Sequence, residues 1–437
     1  MNIEKGNIDT KEKRSYYTVC VVGCGRKGLT YACLFADAGF KVIAADKNPQ
    51  IVSIMKTGKR AFHEKNLNQI LRKHVKDGRI IATTEVKEAC AKSNIITMFV
   101  PIKIDEKEKP DYSCLEKACK DVGMGLQKGS LIIVMTTVTP GTTERLIKET
   151  LETSSGLKAG KDFGLGYAQL SIPPGMVAGI DKNSSQVAAM ILETITDNPI
   201  IMVEDLKVAE SAQLFSLIQN HVKTTLASEF SVFCDKIGVD YVEVQKVLNK
   251  GYSVLTFPQV SRLNSKLVHV FLNEAEALNL KMRITSSAKE TAEEILNYAI
   301  RLVKKALRKC GKPLRRSRIT ILGVSGTPDT KDEKNPFVKK LMKKLISKGV
   351  QVRVYDPFFA QKELNEMGYP AEKTLKQAVE NTDCIIITVP HERFGKMNLR
   401  RLSLTAKMPA AMVDLAYIIN PEKAKKEGFA FLGLGRG

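Results

Sequence analysis

Apolar residues in this chain come in short runs that alternate with stretches of helical period. The run Thr-Val-Cys-Val-Val at 18–22 ends at Gly23. A 3.6-residue pattern follows from about 25 to 38 and is stopped by Gly39, and a second run at 41–45 is closed by Asp46. This order of strand, glycine turn, helix and strand predicts the opening of a parallel α/β sheet. The alternation continues with strands expected at 80–83, 94–100, 131–135 and 200–203, and helices at 67–76, 113–125 and 141–152. The middle differs. A helical pattern with no Pro or Gly runs from 208 to 237, a shorter helix is expected at 241–248, and more helix at 261–277 and 287–309, with Ser286 or Ser287 as the cap. After Gly311 the α/β rhythm returns, with strands at 319–323, 351–355, 384–389 and 411–415 and a helix at 337–347.

The pattern predicts an α/β protein in which two Rossmann-like parallel-sheet domains are joined by a central all-helical domain. The expected boundaries are a lead-in at 1–15, a nucleotide-binding domain at 16–203, a helical domain at 204–310 and a second Rossmann-like domain at 311–437. A long helix in mid-chain often joins two domains and packs against its own copy, so the helical segment is expected to support a dimer.

Composition narrows the function classes. Of 437 residues, 43% are hydrophobic and 26% charged, the balance of a globular protein. No apolar run reaches the ~18–20 residues that would span a bilayer. The polar start predicts neither a signal nor a transit peptide, and the expected location is cytoplasmic. Nine scattered cysteines without a CxxC pair predict reduced thiols, and five dispersed histidines offer no metal cluster. The net charge of +21 is largely local, since 301–350 holds 16 Lys plus Arg against 3 Asp plus Glu. That run fits either an anion site or a solvated helix face. With no Trp and no aromatic interleaving, nucleic acid is a minor reading.

The residues Gly23-Cys24-Gly25-Arg26-Lys27-Gly28 form a GxGxxG loop after a strand and before a helix. Gly23 permits the turn, Gly25 lets a pyrophosphate approach the backbone, and Gly28 lets helix and strand pack closely. Asp46, at the end of the next strand, stands where a carboxylate takes a ribose 2′-hydroxyl, which favours NAD over NADP; Arg26 and Lys47 soften that preference.

Several further stretches resemble the UDP-glucose/GDP-mannose dehydrogenase family, particularly its UDP-N-acetyl-mannosamine and UDP-N-acetyl-glucosamine 6-dehydrogenase branch. They are Phe99-Val100-Pro101, the turn Thr136-Thr137-Val138-Thr139-Pro140-Gly141-Thr142-Thr143, Leu322-Gly323 with Pro328, Thr330, Asp332 and Pro336, Tyr355-Asp356-Pro357, and the ending Gly433-Leu434-Gly435-Arg436-Gly437. The resemblance covers nearly the whole chain. It implies NAD as cofactor, held by the glycine loop, Asp46, Lys47, Val100 and Thr137, and a UDP-sugar as ligand, with Tyr252, Phe257 and Lys334 on its side. It also implies oxidation of a sugar alcohol to the acid through a cysteine thiohemiacetal and thioester.

The resemblance fails at the chemistry. Phe257-Pro258 fixes the register of the cysteine loop, and the cysteine position is Thr256. The aspartate position after it is Val260. On the long helix, Ala209-Glu210 precedes the lysine position, which is Gln213, and the asparagine position is Leu217. Pro174-Gly175 places the glutamate position at Leu170, and the late Asp-Gly-Arg-Asn is replaced by Asp414-Leu415-Ala416-Tyr417. A threonine hydroxyl is a poor nucleophile, and Gln, Leu and Val exchange no protons at neutral pH. Three readings follow. The chain is a non-catalytic relative that binds NAD or a nucleotide sugar, alone as a homodimer or paired with an active paralogue. Or it is an oxidoreductase acting on the CH–OH of a UDP-sugar with relocated residues. Or it offers a basic surface to nucleic acid or an acidic partner.

Overall fold

The computed structural model describes residues 4–57, 65–105, 108–170, 173–250, 256–258, 260, 266–331 and 335–436. The chain forms two compact units, residues 1–217 with 269–278, and 218–268 with 279–437.

The first unit is built on an eight-stranded sheet. Its strands are β1 (Thr18–Val22), β2 (Lys41–Ala45), β3 (Ile80–Thr83), β4 (Ile95–Met98), β5 (Leu131–Val134), β6 (Gly164–Gln169), β7 (Gly175–Gly179) and β8 (Ile200–Val203), in the order β8-β7-β6-β5-β4-β1-β2-β3. All pairings are parallel except β6 with β7. Strands β1, β4 and β5 lie in the middle of the sheet and are apolar along most of their length, because side chains on both faces are covered. The strand order reverses between β1 and β4, which is where open α/β sheets form a ligand crevice at the strands' carboxyl ends. Helix α1 (Arg26–Ala38) follows β1 directly and ends at Gly39, whose φ of 110° is left-handed.

The second unit carries a parallel five-stranded sheet of β9 (Arg318–Leu322), β10 (Gln351–Tyr355), β11 (Cys384–Ile387), β12 (Ala411–Asp414) and β13 (Ala430–Gly433), in the order β10-β9-β11-β12-β13.

The middle of the chain is helical as expected, and its residues are divided between the two units. Helix α2 (Leu206–Ile237) contributes residues to both. Helix α3 (Arg283–Lys309) shares one buried core with the second sheet, where Ile295, Leu296, Ala299, Leu302 and Val303 meet Ile319 and Ile321. It begins earlier than expected. Met282 is the N-cap, without a side-chain cap, so Ser286 and Ser287 lie inside the helix. The buried stripe already starts at Thr285, and packing, not a serine cap, sets the first turn. The expected helix at 141–152 opens as a π turn over Thr143–Ile147 and continues as α-helix over Lys148–Ser155.

The first part of the basic run lies on the exposed side of an amphipathic helix. Lys304, Lys305, Arg308 and Lys309 are exposed on α3, while Ala306 and Leu307 between them are buried. All nine cysteines are free thiols. Among the described residues no helix is long and apolar enough to cross a membrane, and no cluster of metal-ligating side chains occurs.

Candidate dinucleotide site

The glycine loop has the geometry its sequence calls for. Gly23 adopts φ 86°, and a Cβ there would lie 3.2 Å from the Phe99 carbonyl and 3.3 Å from Val100. A Cβ on Gly28 would come within 2.0 Å of the Gly23 carbonyl oxygen, so only glycine lets α1 approach β1 this closely. Gly25 is different: a Cβ there would meet nothing within 4 Å. Gly25 is the N-cap of α1 and supplies no side-chain cap. The helix start thus presents an open backbone face, with the partial positive charge of its amide groups, to whatever occupies the crevice. These are the features a dinucleotide pyrophosphate requires, and the residues fit the group.

Asp46 ties the loop down. One carboxylate oxygen accepts the Cys24 amide at 2.7 Å and the other the Asn48 amide at 2.8 Å. Lys47 turns its ammonium to Asp121, 3.0 Å away on the helix Ser113–Gly125. Arg26 and Val100 are half-buried.

Beyond the crevice, on the β5–β6 side, a small cleft collects residues from four parts of the unit. Lys27 and Tyr31 come from α1, Thr136 and Thr137 follow β5, Tyr167 to Leu170 close β6, and Gln213 comes from α2. Sequence positions singled out for cofactor (Thr137) and for lost chemistry (Leu170, Gln213) therefore meet in one place. Gln213 is 4% exposed, and its carbonyl oxygen is buried with no hydrogen-bonding partner among the described residues. Lys27, Tyr31 and Gln169 were not anticipated as site residues; the fifth place of the glycine motif was the available signal for Lys27.

The loop at 136–143 is fixed from behind by Glu210. This fully buried carboxylate on α2 accepts the Gly141 amide at 2.5 Å and the Thr143 amide at 2.9 Å. Burial pushes its pKa up, and the hydrogen bonds of Thr143 and Gly141 pull it only part of the way back. The Ala209-Glu210 pair is thus a structural anchor that places Gln213 one turn further along the helix.

The remaining positions, Leu217 apart, belong to the second unit. Thr256 is half-buried; its carbonyl accepts the Tyr241 hydroxyl at 2.6 Å, and its own hydroxyl is buried with no hydrogen-bonding partner among the described residues. Among the described residues no base is hydrogen-bonded to it. Val260 is 1% exposed and part of the core under the second sheet. The Phe257 ring lies 5.2 Å from that of Tyr417. Leu217, the last residue of the first unit on α2, is half-buried. Tyr252 and Lys334 lie outside the described residues.

The second sheet repeats the turn and places a buried histidine against its carboxylate. Gly323 (φ 97°) follows β9, and Asp356 closes β10 and accepts the Val324 amide at 2.8 Å and the Phe358 amide at 2.9 Å. His391, fully buried, adds a ring nitrogen 3.2 Å from the same carboxylate. Its other nitrogen receives the Asp329 amide at 2.8 Å, so the hydrogen sits on the nitrogen facing Asp356. Burial pushes Asp356 up, but the His391 hydrogen bond and the Val324 and Phe358 amides outweigh it and hold the pKa below the usual value.

Comparison with known proteins agrees with this geometry. Residues 17–179 match the NAD binding domain of the UDP-glucose/GDP-mannose dehydrogenase family, and residues 320–421 match its UDP binding domain. A UDP-N-acetyl-D-mannosamine dehydrogenase of Methanocaldococcus jannaschii is 27% identical, over 96% of this chain and 96% of its own. A UDP-N-acetyl-D-glucosamine 6-dehydrogenase of Pseudomonas aeruginosa is 25% identical, over 93% and 98%. Among solved structures, a UDP-D-ManNAc dehydrogenase from Pyrococcus horikoshii superposes with a TM-score of 0.83 at 24% identity, covering 96% of this chain and 99% of that one. The chain belongs to the UDP-glucose/GDP-mannose dehydrogenase family, with NAD as the cofactor of its amino-terminal domain.

Proposed function

We propose that this family member binds the dinucleotide and has lost the four-electron oxidation of the sugar, acting as a binding or regulatory protein in nucleotide-sugar metabolism. The observation that carries this reading is the contrast between an intact glycine loop, open at Gly25, and the residues at the chemical positions. Thr256 has no base bonded to it among the described residues, Gln213 has an amide in place of an amine, and Val260 is core. Cofactor contacts are assigned to Gly23, Gly25, Arg26, Gly28, Asp46, Lys47, Val100 and Thr137. Relatives named as UDP-N-acetyl-D-mannosamine dehydrogenases make that UDP-sugar the first ligand to try. The same reading includes pairing with a second copy or an active paralogue through α2, on which Phe215, Leu226, Phe230, Phe233 and Ile237 are exposed.

Titration calorimetry tests it. One dinucleotide should bind per chain, and Gly25→Trp should abolish binding by filling the open face. A wild-type chain that binds no dinucleotide would overturn the reading.

An active dehydrogenase is the second reading, favoured by the relatives' names and by one amine, Lys27, in the same cleft as Gln213.

A further inference from the structure

We propose that the amino-end pole of the second sheet docks on an anionic phospholipid surface, held by its basic residues and by the exposed side chain of Leu404.

The five strands of this sheet are parallel, so their first residues, Arg318, Gln351, Cys384, Ala411 and Ala430, lie together at one end. The segments that enter the strands meet there. The Arg316 amide donates to the Gly349 carbonyl at 2.8 Å. The Lys312 ammonium lies 2.8 Å from the Asp383 carboxylate and donates to the Lys407 carbonyl. Lys340 reaches Glu293 and Lys344 reaches Asn297, so α3 and the helix Pro336–Ser347 advance in the same direction and both end at this pole.

The pole is basic. Arg315, Arg316, Arg318, Lys348 and Lys407 are exposed, and none of them makes an ion pair among the described residues. The acids in the segments that meet there are Glu380, Asp383 and Glu427, and Asp383 is already held by Lys312. Basic residues at the carboxyl end of a helix offset its dipole, which accounts for Lys304, Lys305, Arg308 and Lys309 on α3. That reason does not extend to Arg315, Arg316, Arg318 and Lys407, which stand outside the helices. Together they make a surface for an anion.

The apolar residues decide which anion. Leu404 is 82% exposed and Met408 37%, on either side of Lys407, and Ile346 beside Lys348 is 48% exposed. Residues 304–318, 343–351 and 399–411 contain no aromatic side chain. Single-stranded nucleic acid is gripped by aromatic stacking, and a phosphate backbone offers an exposed leucine nothing. A bilayer surface takes both kinds of residue: its phosphates hold the cations, and the boundary of headgroups and acyl chains takes the leucine. The Gly323 turn lies at the other end of the strands, so docking at this pole leaves that turn uncovered.

Co-sedimentation of the full-length protein with vesicles tests this. Vesicles of phosphatidylcholine alone are compared with vesicles in which part of it is replaced by phosphatidylglycerol. The protein should pellet with the second kind and not the first, and high salt should release it. Each basic residue near an anionic lipid surface contributes about fivefold, so Arg315→Gln, Arg316→Gln and Lys348→Gln together should weaken binding about a hundredfold. Leu404→Ser keeps every charge and should weaken it about tenfold. The melting temperature of both variants should stay at the wild-type value. A wild-type chain that does not pellet with phosphatidylglycerol vesicles would overturn the proposal. Undiminished binding by Leu404→Ser would also overturn it, since a surface working by charge alone has no use for the leucine. Tighter binding of a short RNA at the same salt would overturn it in favour of nucleic acid.

Discussion

The two parallel sheets of this chain carry the same turn and use it differently. Gly23 and Gly323 both leave their strands with left-handed φ. Asp46 and Asp356 both close the next strand and fasten the turn through its backbone amides. The parallel extends to the following strand: a Cβ on Gly23 would press on Phe99 and Val100, and one on Gly323 on Val389. The difference lies in what comes after. In the first unit the turn passes into α1 at Arg26, and the backbone at Gly25 is open. In the second, the next helix among the described residues starts at Pro336, and His391 sets a ring nitrogen against Asp356. At the first turn the helix start is open at Gly25, and at the second a buried imidazole bonds the strand-ending carboxylate. A glycine turn and a strand-ending carboxylate therefore do not make a dinucleotide site by themselves. What distinguishes the two is whether the helix start is left uncovered.

Substitutions can break this comparison. The largest expected effect is at Asp356. Replacing it by Ala strips partners from the Val324 and Phe358 amides, Ser325 and His391 in a fully buried place, and should destabilise the second unit by about 3–5 kcal/mol in urea unfolding. Asp46→Ala removes two backbone hydrogen bonds at a half-exposed position and should cost the first unit about 1–2 kcal/mol. Equal losses would contradict the claim that only the second turn is sealed.

Next comes Gly28→Val. Its Cβ would collide with backbone, so stability should fall by about 1–3 kcal/mol and dinucleotide affinity with it. Gly25→Ala separates the two properties. The added methyl meets no protein atom, so the melting temperature should stay put, within about 0.5 kcal/mol of stability. Dinucleotide affinity should nonetheless drop about tenfold, because the methyl stands where the pyrophosphate approaches. A change in stability, or none in affinity, would count against an open phosphate face.

The smallest effects are pH slopes, and they differ in sign. The pKa of Asp356 is held down in the fold, so its contribution to stability is present above the ordinary aspartate value and lost as pH falls through the lower folded value. That of Glu210 is pushed up, so the associated stability is present below the ordinary glutamate value and lost as pH rises through the folded value. Melting curves against pH should show Asp356→Asn flattening the acid limb and Glu210→Gln flattening the decline above it.

Much of the fold was legible from pattern. The strands at 18–22, 41–45, 80–83, 200–203 and 351–355 stand at their expected bounds, because each is a β-branched or apolar run ended by a Gly, Asp or turn residue. Strands β6 and β7 were not anticipated. Their sequences, Gly-Leu-Gly-Tyr-Ala-Gln and Gly-Met-Val-Ala-Gly, are glycine-rich for reasons that lie elsewhere in the chain. A Cβ on Gly166 would reach 3.0 Å from the Ala178 carbonyl oxygen, and one on Gly179 2.5 Å from the Ser185 amide. Close packing of neighbours selected glycine and erased the strand signal. The glycine loop and Asp46 could be placed from spacing alone. That Gln213, Leu170, Thr137 and Lys27 share a cleft could not, since they come from four segments that only the fold assembles. The burial of Val260 and of His391 was equally invisible, because a lone Val or His carries no local mark of its depth.

Turnover is the decisive property. Purified protein should be given NAD and a panel of UDP- and GDP-sugars, beginning with UDP-N-acetyl-D-mannosamine, and followed by NADH absorbance beside an active relative. The trace should stay flat while the relative produces NADH. Steady NADH formation from any sugar in the panel, lost on Gly25→Trp, would contradict it.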